Sequence, residues 1–490
     1  MLIKRPACLH LKRNLIRHKF PLWFAITVAP VSLLVALFWF MPYGRPDKQF
    51  YITDSQGRAL ILHGINVSNN AKNDPLRVGT IDKETIFRFS RDFGFNAVRM
   101  LIFWDAIEPE KGVFDQAYLD RIKERLDWYK EAGIFVVLDM HQDVYSSVFR
   151  CDGAPEWAVR DDGLLYEPHP KHWWRDYEQP AVKRAFDNFW DAEGPHHDLQ
   201  EHYALAWVKV VERFKDHPAV LGYDLINEPH KGSSDNKEFE KTKLKDFYNR
   251  LISRIREVDQ DNWIFFEPGL GFMVVIGLPS YLPALTDTRN GEPRLAYIPH
   301  LYEPTVAMGL PYLGQTLFIK LWLIRRNSEL KRHKCPLFIG EFGGNETQHG
   351  FNRYLRDLLR MTDNRLSGWF LWASDPGMWG VTDGKGNENA KLDELVYSYP
   401  QRIAGYPETI CFNRDSRILT VKYRDRPGVE GPTEIYVPVG RMYKGGFEVY
   451  LSDPQGAWQW DAERNIVSVL IPSSPGHTTL HEIKVALVSD

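Results

Sequence analysis
Between residues 50 and 400, short apolar runs rich in β-branched and aromatic residues alternate with stretches of helical periodicity. That alternation predicts a parallel sheet whose strands are joined by crossover helices. Eight runs read as strands, at 60–66, 97–103, 135–140, 220–227, 263–267, 295–302, 337–341 and 368–373. The helical signal between them is well formed: Leu119, Ile122, Leu126 and Tyr129 recur at the spacing of one helix face, and Gly133 marks its end. The chain is therefore expected to be α/β, with residues 50–400 closing as a (β/α)8 TIM barrel.

Two stretches depart from this rhythm. Residues 144–200 carry Trp157, Trp173, Trp174 and Trp190 directly after the third expected strand, so the insertion is placed over the C-terminal mouth, where binding loops lie. The competing reading is a packed excursion that only covers the barrel. From about Tyr399 the helical period stops, and runs such as RILTVKY, TEIYVPV, GFEVYL and IVSVLI alternate with Gly/Pro turns. Residues 401–490 are expected to form a small β-sandwich.

Ahead of the barrel, residues 21–41 run 21 positions without a charge, enough for a helix to cross a hydrocarbon core of about 30 Å. Lys4, Arg5, Lys12, Arg13, Arg17 and Lys19 precede this run within residues 1–20, which contain no acid. The positive-inside bias places 1–20 in the cytoplasm, 21–41 as a transmembrane signal-anchor, and the remainder outside as a single-pass membrane protein. The alternative is secretion after cleavage of a signal peptide, against which the bulky Phe38, Trp39, Phe40 and Met41 at the cleavage end argue.

Composition changes this picture in three ways. The net charge of −3 gives no footprint for nucleic acid, and it is an average: the six N-terminal cations leave −9 for the other 470 residues. Four cysteines without a CxxC pair exclude zinc ribbons and thioredoxin-type chemistry, while a disulfide among Cys151, Cys335 and Cys411 stays open. No HExxH, P-loop or GxSxG motif is present. The sequons at Asn66 and Asn345 abut strand ends and are expected to be unused.

If the barrel forms, catalytic groups belong at the C-terminal ends of its strands. Arg99 lies in the second run, DMHQD (139–143) ends the third, LINEPH (225–230) the fourth, HLY (300–302) the sixth, FIGEFGG (338–344) the seventh and FLWA (370–373) the eighth. Glu228 and Glu341 are thereby set at the ends of the fourth and seventh strands. Two carboxyl groups flanking one bond are the apparatus of glycoside hydrolysis, one protonating the leaving oxygen and the other attacking or activating water. Asp139 reads as a buried structural partner of His141, and Glu267 as a further carboxylate of the mouth.

The constellation Asn227-Glu228-Pro229, Glu341, Arg99, His141, His300, Tyr302 and Trp372 resembles glycoside hydrolase family 5 of the clan A barrels. Within it, VSNNAK (67–72), LIFWDAIEPEKGVFDQAYLDRI, LDMHQDVYS (138–146), YPQRIAG (399–405) and the trailing β-sandwich look like the endoglycoceramidase branch. The resemblance covers about residues 50–490. It implies cleavage between an oligosaccharide and ceramide with Glu228 as acid/base and Glu341 as nucleophile. It further implies that Asn227 holds the sugar 2-hydroxyl, Arg99 and Tyr302 lie beside Glu341, and the guanidinium favours the ionised form of that glutamate. His141 and His300 are expected to orient carboxylates or sugar, Trp372 to stack on the sugar, and Lys72 and Asp143 to bind headgroup hydroxyls. The resemblance assigns no catalytic role to Glu267, and no cofactor or metal is implied. The partners expected are a glycolipid or other β-glycoside and a membrane, with no nucleic acid and no obligate protein partner. Steryl glucosides or β-glucans are the alternative substrates, and a non-catalytic carbohydrate-binding protein is the alternative class. Shielding of a lipid by the aromatic insertion or the β-sandwich is a further expectation.

Overall fold
The computed structural model describes residues 49–270, 277–363, 365, 367–472 and 479–488. The segments 1–20 and 21–41, read as cytoplasmic tail and signal-anchor, lie outside the described residues. Among the described residues, no helix is long and apolar enough to cross a membrane.

All eight expected barrel strands form: β2 (Leu62–Val67), β3 (Ala97–Ile102), β4 (Phe135–Met140), β5 (Val220–Asp224), β6 (Trp263–Phe266), β7 (Leu295–Tyr297), β8 (Phe338–Gly343) and β9 (Gly368–Trp372). They pair in parallel in the order β7-β6-β5-β4-β3-β2-β9-β8, and a parallel bridge from Tyr297 to Leu337 closes the ring. Helices connect them; Gln116–Ala132 is representative, capped by Asp115 accepting from the Tyr118 amide and ended by Gly133 at φ +71. Its buried face is Tyr118, Leu119, Ile122, Leu126 and Tyr129, the face expected from spacing plus one residue.

Several strands are shorter than their apolar runs. β7 ends at Tyr297 rather than continuing to 302, because Pro299 has no amide hydrogen and contributes only its carbonyl, to Gly340 N at 3.2 Å. The fourth run yields strand only to Asp224, and the chain then turns through Glu228 at φ +41. The first run begins one element early: β1 (Ala59–Leu60) leaves the barrel and pairs antiparallel with β10 (Tyr399–Ile403).

The C-terminal part contains two antiparallel sheets. One has the order β1-β10-β13-β16-β15, with β13 (Thr433–Tyr436), β15 (Ala457–Asp461) and β16 (Ile466–Leu470). The other has the order β11-β12-β17-β14, with β11 (Tyr406–Asn413), β12 (Ile418–Arg424), β14 (Phe447–Leu451) and β17 (Leu480–Leu487). Phe447 of β14 meets Trp460 of β15 edge-on, at 5.0 Å between ring centroids, so the sheets face each other. The sandwich docks where the barrel strands begin. Tyr399 donates to Gly94 O at 2.6 Å and Tyr436 to Asp92 O at 2.9 Å, while His63 is stacked between Tyr399 and Trp369. Because Gly94 and Asp92 precede β3, these contacts lie at the end opposite the mouth, which corrects the expectation of a lipid-shielding sandwich.

The insertion at 144–200 is largely packing. Tyr145, Phe186, Phe189 and Trp190 are buried, and Phe189 makes edge contacts with Tyr203 and Phe247. Trp173 and Trp174 of its short helix Trp173–Glu178 are among the exceptions, about half exposed at 51% and 57%. Cys151, Cys335 and Cys411 are all free thiols.

Candidate active site
Period-two alternation builds the site layer by layer. Leu62, Ala97, Val137, Phe265, Ile298, Phe338 and Phe370 belong to one buried cluster inside the barrel. Two residues further along their strands, or just past strand ends, stand Gly64, Arg99, Asp139, Glu267, His300, Gly340 and Trp372. The seventh strand breaks the alternation. A register shift between Ile339 and Phe342 accompanies the turning of Glu341 into the mouth, the re-aiming that a β-bulge produces. Gly340 allows the close approach behind it, since a Cβ there would lie 2.7 Å from Ile298 O and 2.9 Å from the His300 ring.

Arg99 is fully buried and organises the floor. Its Nε donates to Asp224 Oδ2 at 2.8 Å, Nη1 to Glu341 Oε1 at 2.9 Å and Asn66 Oδ1 at 3.2 Å, and Nη2 to Asn227 Oδ1 and Glu267 Oε1 at 2.9 Å each. Asp139 Oδ1 is a further ion-pair partner at 2.9 Å. Against the cost of burial, Asp139, Asp224, Glu267 and Glu341 hold the guanidinium more firmly charged than usual. Burial pushes the Asp224 carboxyl well above the ordinary range despite Arg99, with Glu267 and Asp139 adding to the rise.

Glu341 is buried, and its second oxygen, Oε2, accepts from Tyr302 Oη at 2.8 Å. Burial, then the charges of Glu341 and Glu228, raise the Tyr302 phenol, which keeps its proton available for that bond. Opposite, Glu228 Oε1 lies 2.8 Å from His300 Nδ1, which is also 3.6 Å from Glu341 Oε2. One carboxylate oxygen of each glutamate and one His300 nitrogen all lie within 4.8 Å of one another. Burial raises the Glu228 carboxyl, and Glu341 and Glu267 raise it further against the opposing pull of His300. His300 is itself raised well above the ordinary imidazole value: burial opposes, but Glu267 and Glu341 prevail. The buried pair therefore holds its proton firmly. Glu228 stands at φ +41, a strained backbone for a residue with a side chain, of the kind that collects at functional sites.

The remaining candidates form one wall. Lys72 Nζ lies 2.5 Å from Asp143 Oδ2 and 4.4 Å from the Trp372 ring centroid. His141 stacks on Trp372 at 5.6 Å with an interplanar angle of 18°, and its Nδ1 is held by Asp139 Oδ2 at 2.7 Å. Burial and Lys72 oppose protonation of His141, but Asp139 and Asp143 lift it to about 9. Asn227 is fixed at both ends of its amide, by Arg99 and by donation to Gln142 O at 3.1 Å. The ten candidate site residues, Lys72, Arg99, His141, Asp143, Asn227, Glu228, His300, Tyr302, Glu341 and Trp372, are therefore brought into one mouth. Asn66, buried against the Gly340 and Leu371 carbonyls, is closed to glycosylation.

Three participants carried weaker signals. Asn66 and Asp224 sit on the barrel-interior repeat and were masked by their apolar neighbours. Glu267, set aside in the sequence, binds Arg99, accepts from the Glu228 amide at 3.2 Å and lies 3.2 Å from His300 Nε2. Two groups have the spacing of metal ligands, Glu228/His300/Glu341 and His141/Asp143/Asp152. In both, protein donors already engage the carboxylates: Arg99 and Tyr302 in the first, Lys72 in the second.

An eight-stranded α/β barrel with two glutamates facing each other, one after β5 and one near the end of β8, is the framework of a glycoside hydrolase. The model of the cellulase family (glycosyl hydrolase family 5) matches residues 53–377, and that of the glycoside hydrolase family 5 C-terminal domain matches 398–485. The chain belongs to glycosyl hydrolase family 5, in its endoglycoceramidase-like branch. It is similar to endoglycoceramidase I of Rhodococcus hoagii (strain 103S), 28% identical over 421 residues that cover 83% of this chain and 82% of the relative. The solved structure of endo-glycoceramidase II from Rhodococcus sp. is 37% identical, with a TM-score of 0.83, covering 90% of this chain and all of that one. A ganglioside GM3 complex of that enzyme is 36% identical, with a TM-score of 0.84 and the same coverage.

Proposed function
We propose that the protein is a retaining glycosidase that cleaves the β-glycosidic bond between a sugar or oligosaccharide and ceramide in glycosphingolipids. The observation that carries this reading is the placement of Glu228 and Glu341 oxygens within 4.8 Å of each other around His300. Double displacement uses carboxyl groups about 5–5.5 Å apart, whereas inversion needs about 6.5–9.5 Å to admit a water between them. The substrate assignment draws support from the endoglycoceramidase relatives and from the GM3 complex of one of them.

The geometry supports the following roles. Glu228, its proton retained by burial and by neighbouring negative charge, donates to the glycosidic oxygen as that bond breaks. Glu341, held at both oxygens by Arg99 and Tyr302, attacks the anomeric carbon and forms a glycosyl ester. Water then adds to that carbon, Glu228 takes its proton, and the Glu341 ester bond breaks to return the carboxylate. Asn227 is locked beside Glu228 for the sugar 2-hydroxyl, a contact that strengthens in an oxocarbenium-like transition state. Lys72, His141, Asp143 and Trp372 form the sugar-recognition wall. Residues 21–41 serve as a single-pass anchor that keeps the barrel outside the cytoplasm and close to a membrane-borne substrate, an assignment supported by their uncharged length and the preceding basic cluster.

The test is hydrolysis of a fluorescent glycosphingolipid panel beside steryl glucosides and soluble β-glucans, with wild type, Glu228→Gln and Glu341→Gln. Release of ceramide by wild type and its loss in both variants is expected. Cleavage of soluble glucans or steryl glucosides alone would overturn the glycolipid assignment.

A further inference from the structure
The wall formed by Lys72, His141, Asp143 and Trp372 contains one more acid that no motif marks. Asp152 lies across a short antiparallel bridge from Asp143, the two backbones exchanging hydrogen bonds of 3.2 and 3.3 Å. One ligand-type atom from each of His141, Asp143 and Asp152 falls within 4.8 Å of the others. Asp152 is 1% exposed, and its Oδ1 has no hydrogen-bond partner. The Nε2 of His141, equally buried, is also unpartnered, lying 3.7 Å from Asp143 Oδ2. Leaving buried polar atoms unpaired costs about 1–3 kcal/mol each, so two unpaired atoms on residues of one cluster mark a place for a polar ligand. A neutral hydroxyl suits the place better than a cation, because Lys72 already sets its ammonium against Asp143 and the Trp372 face.

Resting on the glycosidase reading above, we propose that Asp152 is a specificity-determining residue of the sugar subsite, sharing one sugar hydroxyl with His141 and Asp143 and governing Lys72 through its charge. The surrounding charges come from two loops and a strand end. Lys72 and Arg77 follow β2, His141 and Asp143 end β4, and Asp105 pairs with Arg77 while its amide donates to Gly153 O at 2.9 Å. Burial lifts the Asp152 carboxyl to about 7; Lys72 opposes this, Asp143 adds to it, and His141 and Arg77 oppose it more weakly. A bound sugar covers the carboxyl further and so favours its neutral form. By linkage, sugar affinity is then highest below pH 7 and falls above it, by at most about tenfold per pH unit.

The experiment measures kcat and KM separately for fluorescent lactosylceramide in detergent from pH 5 to 9, with full-length wild type and Asp152→Asn. Wild-type KM is expected to rise about tenfold between pH 6 and 8.5, and KM of the uncharged variant to change less than about twofold. The pH dependence of kcat, set by Glu228, is read separately from that of KM. A wild-type KM that is flat with pH, or a rise that survives Asp152→Asn, overturns the proposal while leaving the hydrolase reading intact. Absence of turnover by wild type of every glycosphingolipid in the panel overturns both. Should Asp152→Asn fail to fold, calorimetric binding of lactose to Glu341→Gln takes its place: about tenfold weaker binding at pH 8.5 than at pH 6 supports the proposal, and equal affinity refutes it.

Discussion
Replacing Arg99 with methionine tests the electrostatic design of the barrel floor. The guanidinium makes five hydrogen bonds of 2.8–3.2 Å, three of them to the carboxylates of Asp224, Glu267 and Glu341. Methionine fills much of the volume but donates nothing. Removing one partner of a buried ion pair costs about 3–5 kcal/mol, because the opposite charge is left uncompensated. Here the loss is shared by several acids, and Asp224 already sits well above its ordinary value, so proton uptake relieves part of the penalty. An acid raised in the folded state favours folding at pH values below its unfolded value and loses that contribution as pH rises through its folded value. The stability deficit of Arg99→Met should therefore be about 3–5 kcal/mol at pH 7 and shrink toward pH 4–5. Urea unfolding followed by tryptophan fluorescence at pH 5, 6, 7 and 8 measures the difference. A variant within about 1 kcal/mol of wild type at pH 7, or a deficit independent of pH, would refute the reasoning.

Three other outcomes are expected. Glu228→Gln should lower kcat/KM about 10²- to 10⁴-fold on glycolipid, where the leaving oxygen needs a proton, and far less on a dinitrophenyl glycoside, whose leaving group does not; equal losses on both would contradict the acid role. His300→Asn removes the cation that opposes the rise of Glu228, so the alkaline limb of kcat/KM should move to higher pH, and a shift to lower pH would argue against the coupling. Gly340→Ala places a methyl against Ile298 O and the His300 ring, and should cost about 1–3 kcal/mol and displace His300, read as lowered kcat with little change in unfolding cooperativity.

The framework was legible because its signals are local. Eight apolar runs and the helical spacing of Leu119, Ile122, Leu126 and Tyr129 reflect which face each element buries, and each expected barrel strand forms. Arg99, Asn227, Glu228, Glu341 and their companions were legible as polar interruptions at strand ends. What was not legible depends on pairing between distant segments. Leu60 reads as the start of a barrel strand but joins the C-terminal sheet, because its partner Arg402 is some 340 residues away. Glu267 stands at an expected strand end, yet its importance comes from three distant partners, Arg99 on β3 and Glu228 and His300 past the ends of β5 and β7. The turning of Glu341 depends on a register shift against β9 that no residue spacing announces. Asp152 reaches the wall of Lys72, His141, Asp143 and Trp372 only through a bridge to Asp143 formed inside an irregular insertion.

The central claim is that Glu228 and Glu341 operate as an acid/base and nucleophile pair with retention. The most direct measurement is proton NMR of the sugar released from a β-linked glycosphingolipid during the first minutes of reaction, before mutarotation. Initial appearance of the β-anomer is the predicted result; initial appearance of the α-anomer would mean inversion and would contradict the double-displacement account.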